Sequence, residues 1–207
     1  MKTRSGMLVI LLPALLASLI SCGGGTQEQN QQQEENSSPS IDRGKYLVTI
    51  ASCNYCHSPK LSTPYEGIII DTSRMLSGHP SDGELSKINV KIDSTLTKKG
   101  DWALMSLDMT AFAGPWGISY TANLTPDTTT GIGAWSEEAF IATLRTGKHL
   151  GQEGGRKILP PMPWNFISQM TDDDLKAIYA YLRSLPPVKN QVPGPVPPEE
   201  VTKKLSK

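Results

Sequence analysis

Three stretches of the chain repeat apolar residues at helical spacing. Tyr46, Leu47, Ile50 and Ala51 predict a first helix over 42–52. Gly44 lies inside it, a cost unless another element packs closely there. Phe140, Ile141 and Leu144 predict a second over 136–146. Ser136 opens it with Glu137 and Glu138 in the first turn, Trp135 and Phe140 form a hydrophobic staple, and Gly147 stops it. Leu175, Ile178, Tyr179, Leu182 and Leu185 predict a third over 172–185. Thr171 is its expected N-cap, three aspartates follow, and Met170 pairs with Leu175 as a staple. No stretch alternates long enough for a substantial sheet. Residues 67–71 and 87–92 suggest at most a small hairpin.

The two ends carry other patterns. Residues 7–20 are an apolar run behind Lys2 and Arg4, too short to span a bilayer comfortably, so 1–21 reads as an export leader. Its end, Leu19-Ile20-Ser21-Cys22-Gly23, resembles a bacterial lipobox. That resemblance implies acylation of Cys22 and a lipid anchor facing the periplasm or the cell exterior. Residues 22–40 have no apolar periodicity and read as a flexible tether. An ordered domain is expected over 41–187, and 188–207 is a proline-rich, charged tail expected over the surface or without order.

Composition then removes one class of function. The whole chain has 20 basic and 20 acidic side chains. Loss of Lys2 and Arg4 with the leader would tip the balance toward acid. Nucleic-acid binding needs a basic surplus to release counterions, so no nucleic-acid partner is expected. The three cysteines are an odd number for an exported chain.

Cys53-Asn54-Tyr55-Cys56-His57 accounts for the other two cysteines. C-x-x-C-H is the attachment pattern for c-type haem. Thiols three residues apart sit on one side of a helical turn, where each can add to one haem vinyl, and the adjacent imidazole can reach the iron. A thioredoxin-like redox pair needs strand–helix context, and here a helix precedes the motif. A zinc site needs about four ligands, and the chain has no second cysteine pair. The expected cofactor is therefore one haem c, covalently held by Cys53 and Cys56, with His57 as proximal ligand.

An electron carrier needs a second axial ligand. Met75, Met105, Met109, Met162, Met170, His79 and His149 follow the motif. Met170 is already used as a helix staple. Met162 has no such role and sits in Leu159-Pro160-Pro161-Met162-Pro163-Trp164, where prolines stiffen the backbone. A weak thioether ligand gains from being held before it binds, so Met162 is the expected distal ligand. His149 reads as a solvated residue after a helix, and His79 as part of a turn.

These features together resemble a class I cytochrome c. The likeness extends to cytochrome modules of membrane alcohol and gluconate dehydrogenases, through Ala122-Asn123-Leu124-Thr125-Pro126-Asp127, Gly131-Ile132-Gly133-Ala134-Trp135-Ser136-Glu137 and Tyr179-Ala180-Tyr181-Leu182-Arg183-Ser184-Leu185-Pro186-Pro187. The resemblance implies an all-α fold, with first and last helices crossing around one haem at Gly44 and Tyr179 or Tyr181. It implies Tyr55, Trp116, Asn123, Leu124, Trp135 and Trp164 as haem-pocket residues and Arg145 as a propionate partner. The chain departs from those modules in having a single C-x-x-C-H motif and a long 59–109 insertion. The implied function is a membrane-tethered one-electron carrier, not an enzyme, serving a dehydrogenase or oxidase in a respiratory chain. The alternatives are a haem enzyme or gas sensor with an open distal site, and a haem subunit whose insertion docks a dehydrogenase.

Overall fold

The structure is a computed structural model that describes residues 40–63, 65, 67–82 and 102–201. The expected leader over 1–21, Cys22, the expected tether before residue 40, the candidate strand 87–92 and residues 202–207 lie outside the described residues.

Helix α1 spans Ile41–Ile50 and α2 spans Cys53–His57. Ser40 caps α1 by accepting the Arg43 N–H at 3.2 Å. Helix α3, Glu137–Thr146, begins at Ser136, whose side chain accepts the Ala139 N–H, and ends at Gly147 in the left-handed conformation. Helix α4 is the single turn Trp164–Ile167. Helix α5, Asp172–Ser184, is capped by Thr171 accepting the Asp174 N–H at 3.1 Å, and three aspartates occupy its positive end.

Helices α1 and α5 cross in close contact. A Cβ on Gly44 would lie 1.9 Å from the Ala177 carbonyl oxygen and 2.7 Å from Tyr181 Cβ. Glycine is thus required by backbone approach, and of the two candidate tyrosines it is Tyr181 that lies against it. Tyr179 instead donates its hydroxyl to the Trp135 carbonyl at 2.6 Å. Arg43 and Asp174 pair across the crossing at 2.9 Å. Leu47, Val48, Phe140, Leu144, Leu175, Ile178 and Leu182 bury the inner faces in one core.

The all-α expectation is overturned. Strands β1 (Lys60–Thr63) and β2 (Gly67–Ile70) form an antiparallel pair, with Leu61 opposite Ile69. The 67–71 segment therefore pairs backward with 60–63. Strands β3 (Leu104–Met105), β4 (Ala111–Gly114) and β5 (Gly117–Tyr120) form a second antiparallel sheet in that order. Gly114 opposite Gly117 leaves Pro115 and Trp116 as a two-residue turn. These strands are two to four residues long, too short for alternation to stand out against irregular sequence.

Residues 186–197 form a strap outside the helices and strands, with a tight turn at 190–192 where the Val192 N–H donates to the Asn190 carbonyl at 3.1 Å. Val196 and Ile118 exchange both backbone hydrogen bonds, at 2.8 and 2.9 Å, so the strap extends the sheet beyond β5. Val196 and Val201 are buried there with Ala113 and Ile118. Asn190 is buried too, donating to the Ser77 and His79 carbonyls at 2.7 and 2.9 Å and accepting the Ser81 N–H at 2.8 Å.

Candidate functional site

A cavity of about 630 Å³ opens between the helical core, the second sheet and the strap. That volume falls within the usual range for cofactor sites, roughly 300–1,000 Å³. Its wall is mostly apolar, with Val48, Leu144, Ile178 and Leu182 from the helices.

Helix α2 carries the C-x-x-C-H residues to this wall. Ser52 adopts a positive φ of 58° between α1 and α2, which turns the chain at that point. Cys53, Cys56 and His57 all line the cavity, and both cysteines are free thiols. Burial pushes the Cys53 thiol up to about 11, so it is protonated at neutral pH. The Cys56 thiol is also raised by burial, partly offset by the Lys60 charge. Lys60 braces the end of α2, its ammonium donating to the Tyr55 and Asp108 carbonyls at 2.5 Å.

His57 is buried, and its Nδ1 lies 2.8 Å from the Ala122 carbonyl. A carbonyl only accepts, so Nδ1 carries the proton. Burial also holds the imidazole neutral by lowering its pKa. Nε2 therefore keeps its lone pair. The backbone fastens this arrangement: Gly78 N–H donates to the His57 carbonyl at 2.7 Å and His79 N–H to Thr121 at 2.9 Å. Gly78 has φ +80°, and a Cβ there would lie 2.5 Å from the Thr121 carbonyl oxygen. Only glycine lets 76–79 lie this close to 121–122.

Two methionines reach the cavity wall, Met162 and Met170. The Met162 loop is fastened to β5 by Ser119, whose hydroxyl donates to the Pro160 carbonyl at 2.6 Å. Met105 is exposed, while Met75 and Met109 are not in the wall. His79 is buried elsewhere, with Nδ1 2.8 Å from the Thr110 hydroxyl oxygen, which in turn donates to Asp108. His149 lines the cavity, its ring edge-on to Trp135 at 5.2 Å.

The cavity wall also holds Asn123, Leu124 and Trp135. Asn123 fixes the next turn by accepting the Thr125 N–H at 2.9 Å and donating to the Val188 carbonyl at 2.8 Å. Three other expected pocket residues stand outside the wall. Tyr55 is half exposed on the outer side of α2, beneath the Lys60 ammonium at 5.2 Å. Trp116 sits in the β4–β5 turn, its indole N–H donating to Ser119 at 3.2 Å. Trp164 packs against Gly147, where a Cβ would lie 2.4 Å from its ring. Arg145 is also elsewhere, donating to Asp172 and to the Ser168 carbonyl.

Sequence reasoning missed a second side of the wall. Thr128, Thr129, Thr130, Arg156, Gln191 and Pro193 line it. Asp127 organises the threonine run by accepting the N–H and hydroxyl of both Thr129 and Thr130, which holds its carboxyl down at about 2. Asp127 before Thr-Thr-Thr-Gly is an Asx-turn signal that the chain shows openly. Arg156 and Gln191 carry no local signal of their own.

No family model matches the chain. A nicotinate dehydrogenase subunit of Pseudomonas putida is 40% identical over 80 residues, 39% of this chain and 6% of that protein. The fructose dehydrogenase cytochrome subunit of Gluconobacter japonicus is 29% identical over 163 residues, 76% of this chain and 25% of that protein. The gluconate 2-dehydrogenase cytochrome c subunit of Pantoea cypripedii is 29% identical over 141 residues, 68% of this chain and 22% of that protein. The chain thus spans a quarter or less of these relatives' length.

Proposed function

We propose that the chain is a cytochrome c module that passes single electrons for a dehydrogenase. The observation that carries this reading is the convergence of Cys53, Cys56, a neutral His57 and Met162 on one apolar cavity. The residues fit a haem c. The two thiols face the cavity three residues apart, His57 Nε2 has a free lone pair, and a thioether is available on the same wall. The relatives named as cytochrome subunits of dehydrogenases support the electron-transfer role and the dehydrogenase partner.

When bound, haem supplies a one-electron couple at iron. The chain's residues do the rest. Cys53 and Cys56 hold the group covalently, and the Ala122 carbonyl orients the His57 ring and makes it a better donor. Met162, held in its proline-rich loop on the cavity wall, would hold the iron as second ligand, which would raise the potential relative to a bis-histidine site. The apolar wall excludes water, so little has to reorganise when the charge changes.

Export by the 1–21 leader and acylation of Cys22 complete the proposal. The 22–40 segment would then tether the domain at a membrane and raise its local concentration near partners. Among the described residues no helix is long and apolar enough to cross a membrane.

Optical redox titration of the purified holoprotein tests the ligand set, with Met162→Ala and Met170→Ala beside it. The expected result is a low-spin His/Met spectrum lost in Met162→Ala and kept in Met170→Ala. The reverse outcome removes Met162 as ligand. Tight carbon monoxide binding by the reduced wild-type protein at neutral pH removes the carrier reading.

A further inference from the structure

Among the described residues, the cavity wall contains one permanently charged side chain. Cys, His, aromatic, aliphatic, Ser, Thr, Asn and Gln side chains make up most of the rest, with no Asp, Glu or Lys among the described residues. The exception is Arg156. It stands in a loop clasped on itself: Lys148 pairs with Lys157, His149 N–H donates to the Arg156 carbonyl at 2.9 Å, and Ile158 N–H donates to Gly147 at 2.8 Å. The clasp sets 149 and 156 side by side. Both His149 and Arg156 reach the cavity, and the edge-on contact with Trp135 fixes the His149 ring.

The other described arginines are engaged. Arg43, Arg74 and Arg145 each engage an aspartate. Arg183 donates to the Gly133 carbonyl and lies over the Tyr179 ring. Among the described residues Arg156 has no carboxylate partner, and its one hydrogen bond goes from Nη1 to the Lys157 carbonyl at 3.2 Å. Most of its five N–H donors are uncommitted. A rigid planar cation without a counterion, on the wall of a cavity free of acids, is suited to a carboxylate.

We propose that Arg156, with His149 beside it, is the carboxylate-binding end of this cavity and holds a propionate of the haem. This rests on the haem reading above. It assigns to Arg156 the role that Arg145, committed to Asp172 and Ser168, does not fill. Arg156 is then a positioning residue with an electrostatic consequence. Its charge opposes that of the propionate, which otherwise favours the oxidised iron. Because 158–163 follows directly, the loop that holds the propionate also leads into Met162.

The test is spectroscopic redox titration of the holoprotein between pH 5 and 9, comparing wild type, Arg156→Gln, Arg156→Lys and Lys157→Gln. Arg156→Gln should lower the midpoint. At fixed ambient potential the reduced-to-oxidised ratio should fall about threefold to tenfold, where tenfold is 59 mV for one electron. Its midpoint should also become more pH-dependent as the propionate loses its partner. Arg156→Lys should recover most of the shift. Lys157→Gln removes an adjacent charge outside the wall and should change little. Equal shifts in Arg156→Gln and Lys157→Gln overturn the proposal. Loss of haem from both Arg156 variants also overturns it, since that marks a packing role indifferent to charge. A wild-type protein that matures without covalent haem removes the underlying reading itself, an outcome distinct from an unshifted Arg156→Gln.

Discussion

Among the described residues, ten buried side chains make up the larger core, drawn mainly from α1, α3 and α5, whereas the second sheet, the strap and Val201 share a core of four. The smaller region is held instead by side chains bonded to backbone. Asn123 and Thr125 bond to Val188, Asn190 to Ser77, His79 and Ser81, and Ser119 to Pro160. Each of these contacts joins residues far apart in sequence. The helical half thus gains stability from area removed from water. The sheet-and-strap half depends on satisfying buried polar groups, where one lost partner strands the others. The cavity lies between the two halves, so its geometry depends on both.

Leu175→Ala probes the apolar half most strongly. Leu175 is fully buried, and its truncation should cost about 4 kcal/mol by leaving a cavity. Denaturant unfolding of the holoprotein measures it, and a cost below that of Val196→Ala, itself about 2 kcal/mol, would reverse the comparison. Gly44→Ala comes next. Its methyl would meet the Ala177 carbonyl, so α1 and α5 must separate, at about 3 kcal/mol. A change near zero would show the crossing to be compliant.

Asn190→Ala addresses the other half. It leaves the Ser77 and His79 carbonyls and the Ser81 N–H without their partner, at a cost of about 2 kcal/mol. Hydrogen exchange should quicken at Ile118 and Val196 while α1 and α5 keep their protection. Uniform acceleration would mean the halves open as one unit. The smallest effect expected is at Asp127. Its carboxyl lies below the usual value of 3.8 because Thr129 and Thr130 bond its charged form. A depressed folded-state value stabilises above the unfolded value, and that contribution is lost as pH falls from 3.8 toward about 2. Asp127→Ala should flatten this part of the acid unfolding curve and leave the neutral-pH spectrum in place.

The three long helices are legible in the chain because each states itself locally. Thr171, Ser136 and Gly147 mark ends, and the apolar stripes of α3 and α5 identify their buried faces. The C-x-x-C-H spacing is equally local, needing only one turn of helix. Strands β3 to β5 are not legible, since pairs such as Phe112 with Ser119 are chosen by register, not by composition. The Gly-Pro-Trp-Gly run between β4 and β5 is the local turn signal that could have located this hairpin. Tyr55, Trp116 and Trp164, expected at the pocket by resemblance, lie outside the cavity wall. An aromatic near the motif in sequence can turn to solvent, or fill a gap beside Gly147.

Caps, periodicity and motif spacing act over a few residues. The linear chain is therefore enough to place the three longer helices and the C-x-x-C-H motif, while the short α4 turn goes unannounced. The second sheet, the course of 186–197 along the cavity and the choice of Tyr181 against Gly44 emerge only once the elements pack. Packing also puts Arg156, in place of Arg145, at the wall. These outcomes depend on contacts between residues tens of positions apart, and a charged side chain declares its partner only when the chain has closed around it.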